Sequence, residues 1–211
     1  MKQITLPFLH AFTASDAPGE VAGRLYELEK HVLSFAPWPG YPYKPQVQFS
    51  IAYGSDALGL LFEVQEKSIR AAHGHTNEPV YTDSCVEFFV SFDEGTTYYN
   101  FEFNCIGTVL AGFGKERSGR QLLSQALLDK IKSEARIYRG GNSIRWEITL
   151  VLPFDVFPHH SLSSLPGRQC RANFYKCGDE LPQPHFLSWS NIESSEPDFH
   201  LPAYFGTLKF A

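Results

Sequence analysis

Residues 81–93 read Tyr81-Thr82-Asp83-Ser84-Cys85-Val86-Glu87-Phe88-Phe89-Val90-Ser91-Phe92-Asp93. From Ser84 the β-branched and aromatic residues specify a strand, and Asp93-Glu94-Gly95 ends it with a turn signal. Side chains alternate across a strand, so Ser84, Val86, Phe88, Val90 and Phe92 share one face and Cys85, Glu87, Phe89 and Ser91 the other. A carboxylate, Glu87, therefore stands in the middle of an otherwise apolar strand. The next run, Tyr98–Cys105, alternates as cleanly: Tyr99, Phe101, Phe103 and Cys105 against Tyr98, Asn100, Glu102 and Asn104. A hairpin turning at Gly95 brings the two apolar faces together. Pairing Phe88 with Phe103 and Val90 with Phe101 sets Glu87 opposite Asn104, with Glu102 on its diagonal.

That register gives one sheet face to the core and leaves Glu87, Asn100, Glu102 and Asn104 on the other, flanked by aromatics. A row of carboxylates and amides suits a polyhydroxylated ligand, because each group can engage neighbouring hydroxyls. The alternative is the ordinary wet face of an antiparallel sheet, and wet faces are commoner than binding sites.

Outward from this hairpin the chain is rich in strands. Runs at 46–52, 58–66, 144–153, 170–177 and 204–210 alternate or carry β-forming residues. Aromatics make up 15% of the 211 residues, with 14 Pro and 16 Gly, a further sign of a β-rich fold. Two helices are expected. One covers 15–33, with Ser15 or Asp16 as cap, Pro18 in the first turn, and Val21, Leu25, Leu28 and Val32 at helical spacing. The other starts from a Ser118-Gly119-Arg120-Gln121 capping box and carries the stripe Leu123, Ala126, Leu127 and Ile131. Pro37, Pro39, Pro42 and Pro45 forbid helix in the segment that begins at Phe35, and Trp38 within it reads as a structural cover, as Trp189 reads as core. The expected architecture is all-β: a two-sheet antiparallel, jelly-roll-like sandwich with one or two short peripheral helices, a single domain over 1–211 with 1–34 as a helical extension packed on it.

Composition excludes several functions. A net charge of −5 without a basic block argues against nucleic acid, whose phosphates need clustered cations. No apolar run is long enough to span a bilayer. The first residues, Met1–Phe8, lack the apolar core of a signal peptide, which leaves the compartment open. The four cysteines at 85, 105, 170 and 177 lack paired metal spacing and read as free, buried thiols, Cys85 and Cys105 pointing to opposite faces. His73-Gly74-His75 and His159-His160 lack a fixed third ligand and read as unliganded.

The order of motifs resembles a known family. Asp-Ser-x-Val-Glu-x-Phe at 83–89, Tyr-Tyr-Asn-Phe-Glu-Phe-Asn at 98–104 and Trp-Glu-x-x-x-x-x-Pro at 146–153 come first. Asn-Phe-Tyr-Lys at 173–176, Ser-Trp-Ser at 188–190 and a terminal Phe-Gly-x-Leu follow. Over about residues 35–210 this is similar to the family-nine carbohydrate-binding module, in particular its stand-alone bacterial relatives. The resemblance implies a β-sandwich holding a glucose- or xylose-type sugar end between two aromatic rings, structural calcium, and work alongside glycan-degrading enzymes. Carried over by position, Glu87 matches the family's sheet carboxylate and Asn104 its sheet amide. Tyr81 and Phe199 stand where the sandwiching tryptophans would be, Tyr175 where a glutamine would be, and Glu102 in place of an arginine. The last four are departures. They reduce the stacking area and set a second carboxylate near Glu87.

Three functions follow. The first is non-catalytic saccharide binding through Tyr81, Glu87, Glu102, Asn104, Tyr175 and Phe199. The second is a glycoside hydrolase drawing two carboxylates from Asp83, Glu87 and Glu102. An open sheet face gives little reason for a raised carboxyl pKa, which argues against it. The third is a sandwich whose sugar site has decayed.

Overall fold

Long alternating strands make both layers, because each can bury one face against the other layer only by pairing laterally. In the computed structural model, residues 2–141 and 143–211 are described; Met1, the first residue of the terminus read above, lies outside them. The strands are β1 (Gln3–Leu6), β2 (His31–Val32), β3 (Gln46–Tyr53), β4 (Ala57–Glu66), β5 (Cys85–Ser91), β6 (Tyr98–Asn104) and β7 (Val109–Gly114). They continue as β8 (Gln121–Leu122), β9 (Lys132–Gly140), β10 (Ser143–Pro153), β11 (Gln169–Cys177), β12 (Phe186–Ser188) and β13 (Gly206–Phe210). The larger sheet runs β1-β13-β11-β5-β6-β7-β8, with β12 also on β11; the smaller runs β2-β3-β4-β10-β9. Every pairing is antiparallel except β1 with β13. The two-sheet sandwich read from the alternation is what the chain adopts.

The core between the sheets takes the expected faces. Val86, Phe88 and Val90 of β5 and Tyr99, Phe101 and Phe103 of β6 meet Phe49, Leu60 and Phe62 of the smaller sheet. Phe174 of β11 stacks on Phe49 with centroids 3.8 Å apart, and Trp189 packs edge-on to Phe174 at 5.7 Å, so Trp189 is core. Gly206 opens β13 because the Trp189 ring occupies the space where a Cβ would project, and Lys2 O would lie 2.7 Å from it.

Both helices are shorter than their periodicity predicts. The first, α1, covers Pro18–Tyr26 with Ala17 as N-cap and no side-chain cap. Asp16 instead accepts from Thr13 N and pairs with Arg24. Its Val21 and Leu25 pack on the outer side of the smaller sheet with Leu61 and Val151. Val32 falls in β2, so residues 1–34 contribute a strand to each sheet besides the helix. The capping-box helix is a larger correction. Gln121–Leu122 pairs with β7, and only α2 (Gln125–Leu128) is helical. Gly119 adopts φ +66°, which breaks a helix start, and Arg120 is drawn inward to bond Asn100 Oδ1, Tyr98 O and Gly112 O. Tertiary bonds outweigh local capping preference here.

The central hairpin also departs in register. Glu87 pairs with Glu102, Val86 with Phe103 and Cys85 with Asn104. A two-residue slip keeps every side chain on its own face, so hydrophobic alternation cannot detect it. The turn decides instead. Glu94 and Gly95 both take positive φ, and Asp93 accepts from Thr97 N at 2.9 Å, which pins a longer loop. No helix of the described residues is long and apolar enough to cross a membrane.

Candidate functional site

The outer face of the larger sheet is covered rather than wet. The proline-aromatic segment lies over it, with Trp38 buried, donating Nε1–H to Ser194 O at 3.1 Å and packing on Phe186 and Phe199. Beneath lies a second apolar cluster that includes Cys85, Phe89, Tyr98, Tyr175, Cys177 and Phe199. A cavity of about 460 Å³ remains open between this cover and the strands, a size usual for small-ligand sites.

Cross-strand rows build its floor. One row runs Tyr175, Glu87, Glu102, Leu110 across β11, β5, β6 and β7, and the next sets Phe89 beside Asn100 and Gly112. Glu87 and Glu102 are 3% and 4% exposed, so the expectation of an open face with ordinary carboxylates is overturned. Burial first, then the facing Glu102 carboxylate, raises the Glu87 pKa well above the ordinary range. Glu102 is pushed up to about 7, chiefly by burial, against the opposing pull of the Asn100 hydrogen bond and Arg120. Asn100 Nδ2 donates to Glu102 Oε1 at 2.9 Å, whereas buried Oε2 has no hydrogen-bond partner. Glu87 Oε1 accepts from the Cys177 thiol at 3.0 Å.

The walls and rim add contrast. Tyr81 sits on a single 3-10 turn whose backbone is held by Asp179 N donating to Tyr81 O, and its ring is 40% exposed at the cavity. Phe199 also lines the cavity, backed by Tyr175 at 4.1 Å and nearly parallel. Arg120 stacks over Tyr98 with its guanidinium 4.1 Å from the ring centroid. Tyr98 OH and His200 Nδ1 share a hydrogen bond of 3.0 Å, and burial first, then Arg120 and Arg117, pushes the His200 pKa down to about 3, so that ring is neutral. Arg117, Asp179 and Asp198 complete the mouth.

Of the six residues named from the sequence, the cavity brings together Tyr81, Glu87, Glu102 and Phe199. Tyr175 lies behind Phe199, fully buried, its OH donating to Phe199 O. Asn104 is committed elsewhere: Nδ2 donates to His73 O and Asp83 Oδ2, and Oδ1 accepts from Ile106 N and Thr108 N. Asp83, the third carboxylate considered for catalysis, is buried and ion-paired with Arg70. Burial raises its pKa, but bonds from Ala72 N, Asn104, His73 N and Arg70 prevail and hold it low, as suits a structural anion. Asn100, Arg117, Arg120 and Asp179 also line the cavity, beyond the six residues named from the sequence. The polar face shared with Glu102 signals Asn100, while nothing local marks the others.

Among the described residues, one cluster has three or more His, Cys, Asp or Glu atoms close enough to share a metal: Cys85, Glu87 and Cys177. Its two thiols are poor ligands for calcium, which takes oxygen, so this cluster does not fit the calcium the resemblance implies. Cys85 and Cys177 are cross-strand neighbours, and all four cysteines are free and buried.

Residues 24–210 match the sequence model of carbohydrate-binding family 9. A crystal structure described as that of a candidate carbohydrate-binding protein from Bacteroides uniformis ATCC 8492 is 38% identical, with TM-score 0.90, covering 100% of this chain and 99% of that one. Two structures of a family 9 module from Caldicellulosiruptor kristjanssonii share the fold at 14% identity. The glucose complex has TM-score 0.62 and covers 100% of this chain and 96% of that one. The cellotriose complex has TM-score 0.63, with 99% and 93% covered. The comparison with curated proteins gave no match.

Proposed function

This chain belongs to carbohydrate-binding family 9, and from that premise we propose that it binds glucose- or xylose-type saccharide ends without cleaving them, in the service of glycan degradation. The whole chain acts as one binding unit in this reading. The observation that carries it is the cavity on the larger sheet, floored by Glu87, Glu102 and Asn100 and walled by Tyr81 and Phe199. Aromatic walls suit the apolar C–H faces of a sugar ring, and floor carboxyls and amide suit its hydroxyls. The family 9 relatives solved with glucose and with cellotriose support the same ligand class.

A hydrolase needs one raised and one ionised carboxyl. Glu87 and Glu102 are both raised, so the pair offers an acid without a firmly ionised partner. That favours binding over turnover. The test is calorimetric titration with a panel of mono- and disaccharides, with released reducing sugar assayed in each mixture. Binding without release is expected. Tyr81→Ala should weaken binding by about tenfold or more, the effect of removing an aromatic anchor. It should leave the fold intact, since its ring is exposed. An unchanged affinity would move the ligand away from this cavity.

A further inference from the structure

The cavity floor carries a facing pair of carboxyl groups that neutral sugar recognition does not require. Two carboxyl groups face each other on adjacent strands, both buried. No cationic side chain among the described residues hydrogen-bonds either one. Arg120, which lines the same cavity, spends Nε on Asn100, Nη1 on Glu116 O, and Nη2 on Tyr98 O and Gly112 O. Lys176 is on the same strand as Cys177 but faces the other way, paired with Glu66 inside the sandwich. Glu102 Oε2 is buried and aimed at no protein donor. Around the whole cavity stand Glu87, Glu102, Asp179, Glu196 and Asp198 against Arg117 and Arg120, with His200 neutral.

We propose that this site selects a saccharide carrying a protonated primary amine, an amino sugar whose ammonium group sits between Glu87 and Glu102. The proposal rests on the saccharide reading above and narrows its ligand class. An ammonium is a compact charge with three donors and no acceptor. It supplies what both buried carboxyls lack, a hydrogen-bonding countercharge in a low-dielectric floor. A neutral hydroxyl in the same place leaves the pair to hold its protons. An N-acetylated amine loses the charge and adds bulk.

Binding a cation there must expel protons from the carboxyl pair, since the empty pair retains them near neutral pH. The other titratable or charged groups facing the pair or lining its cavity are Tyr175, Cys85, Cys177, Asp179, Glu196, Asp198, His200, Arg117 and Arg120. Burial raises the Cys85 thiol to about 12 and holds Cys177 and Tyr175 well above their ordinary values, so these three keep their protons near neutral pH, whereas burial raises Asp179 only to about 6, below the Glu102 carboxyl.

The experiment is calorimetry at about pH 6.5, where the sugar amine is protonated, in two buffers of different ionisation enthalpy. Glucosamine, glucose, N-acetylglucosamine and 1,4-diaminobutane are titrated in parallel. Glucosamine should bind about tenfold or more tighter than glucose, the scale of a close charge pair, and release protons. Glucose and N-acetylglucosamine should release none. Glu102→Gln should erase the glucosamine-over-glucose ratio together with the proton release. Glucose binding as tightly as glucosamine, or glucosamine binding without proton release, overturns this proposal and leaves the saccharide reading standing. Failure of every sugar overturns both. Diaminobutane binding as tightly as glucosamine makes it an amine site and overturns the saccharide part.

Discussion

Lys176→Met is expected to lower the unfolding free energy by roughly 3–5 kcal/mol, the cost of leaving a buried charge without its partner. Lys176 alternates with Tyr175 and Cys177 on β11, so its chain enters the layer between the sheets rather than the cavity. Its side chain and that of Glu66 are 0% exposed, with Nζ 3.1 Å from Glu66 Oε2. The ammonium hydrogens point elsewhere, to Cys177 O at 2.7 Å and His185 Nε2 at 2.8 Å. Burial and the adjacent Lys176 push the His185 pKa down to about 3, so a neutral ring donates from Nδ1 to Gln183 O and accepts at Nε2. Trp146 Nε1 donates to the other Glu66 oxygen at 2.6 Å. Removing the ammonium therefore strands a carboxylate and an imidazole acceptor together. The double variant Lys176→Met with Glu66→Gln keeps an acceptor for Trp146 and removes the stranded charge. It should regain most of the loss in urea unfolding, whereas equal destabilisation in both variants would contradict the ion-pair account.

A second large effect comes from the cavity floor. Glu102 holds a proton to about pH 7 in the folded chain, while an unfolded glutamate loses it near its ordinary 4.5. The folded state binds more protons across that window, so stability must fall as pH rises. The slope is about 1.4 kcal/mol per pH unit for each such carboxyl, and Glu87 adds to it in the same direction. Asp83 works the other way. Its lowered pKa contributes stability that is present above the ordinary aspartate range and lost in acid. The melting temperature should therefore decline between about pH 5 and about pH 8, and Glu102→Gln should flatten the decline and melt higher at the alkaline end. The amide keeps an oxygen for Asn100 and removes the buried charge. A steeper decline in Glu102→Gln would contradict the burial described for this residue. Such a floor is unfavourable to folding, which fits a position kept for a ligand.

The layers and faces were legible because alternation is a strong signal where one face meets a core. Val86, Phe88 and Val90 point inward as read, and Glu87 and Glu102 share the outer face. The register was not legible, since pairing sums of 191 and 189 satisfy the same alternation and only the Asp93–Thr97 turn separates them. The false helix at 118–131 shows the opposite failure. Its local cap and stripe were sound, yet Arg120 makes half-buried bonds to residues 20 or more positions away. β9 escaped notice because Lys132–Gly140 is a polar edge strand with most residues exposed or half-buried, and its pattern carries no core face. Position along a motif named Tyr81, Glu87, Glu102 and Phe199, and all four line the cavity. It also named Asn104, whose amide closes a turn, whereas Asn100, which the alternation set on the same polar face, lines the cavity.

In the proposed function the saccharide occupies the cavity lined by Tyr81 and Phe199. A crystal structure of the protein soaked with glucose tests it most directly. The expected result is a sugar ring against those two side chains, with at least one hydroxyl in hydrogen-bond contact with Glu87, Asn100 or Glu102. Glucose ordered elsewhere on the sandwich, with this cavity empty, would contradict it.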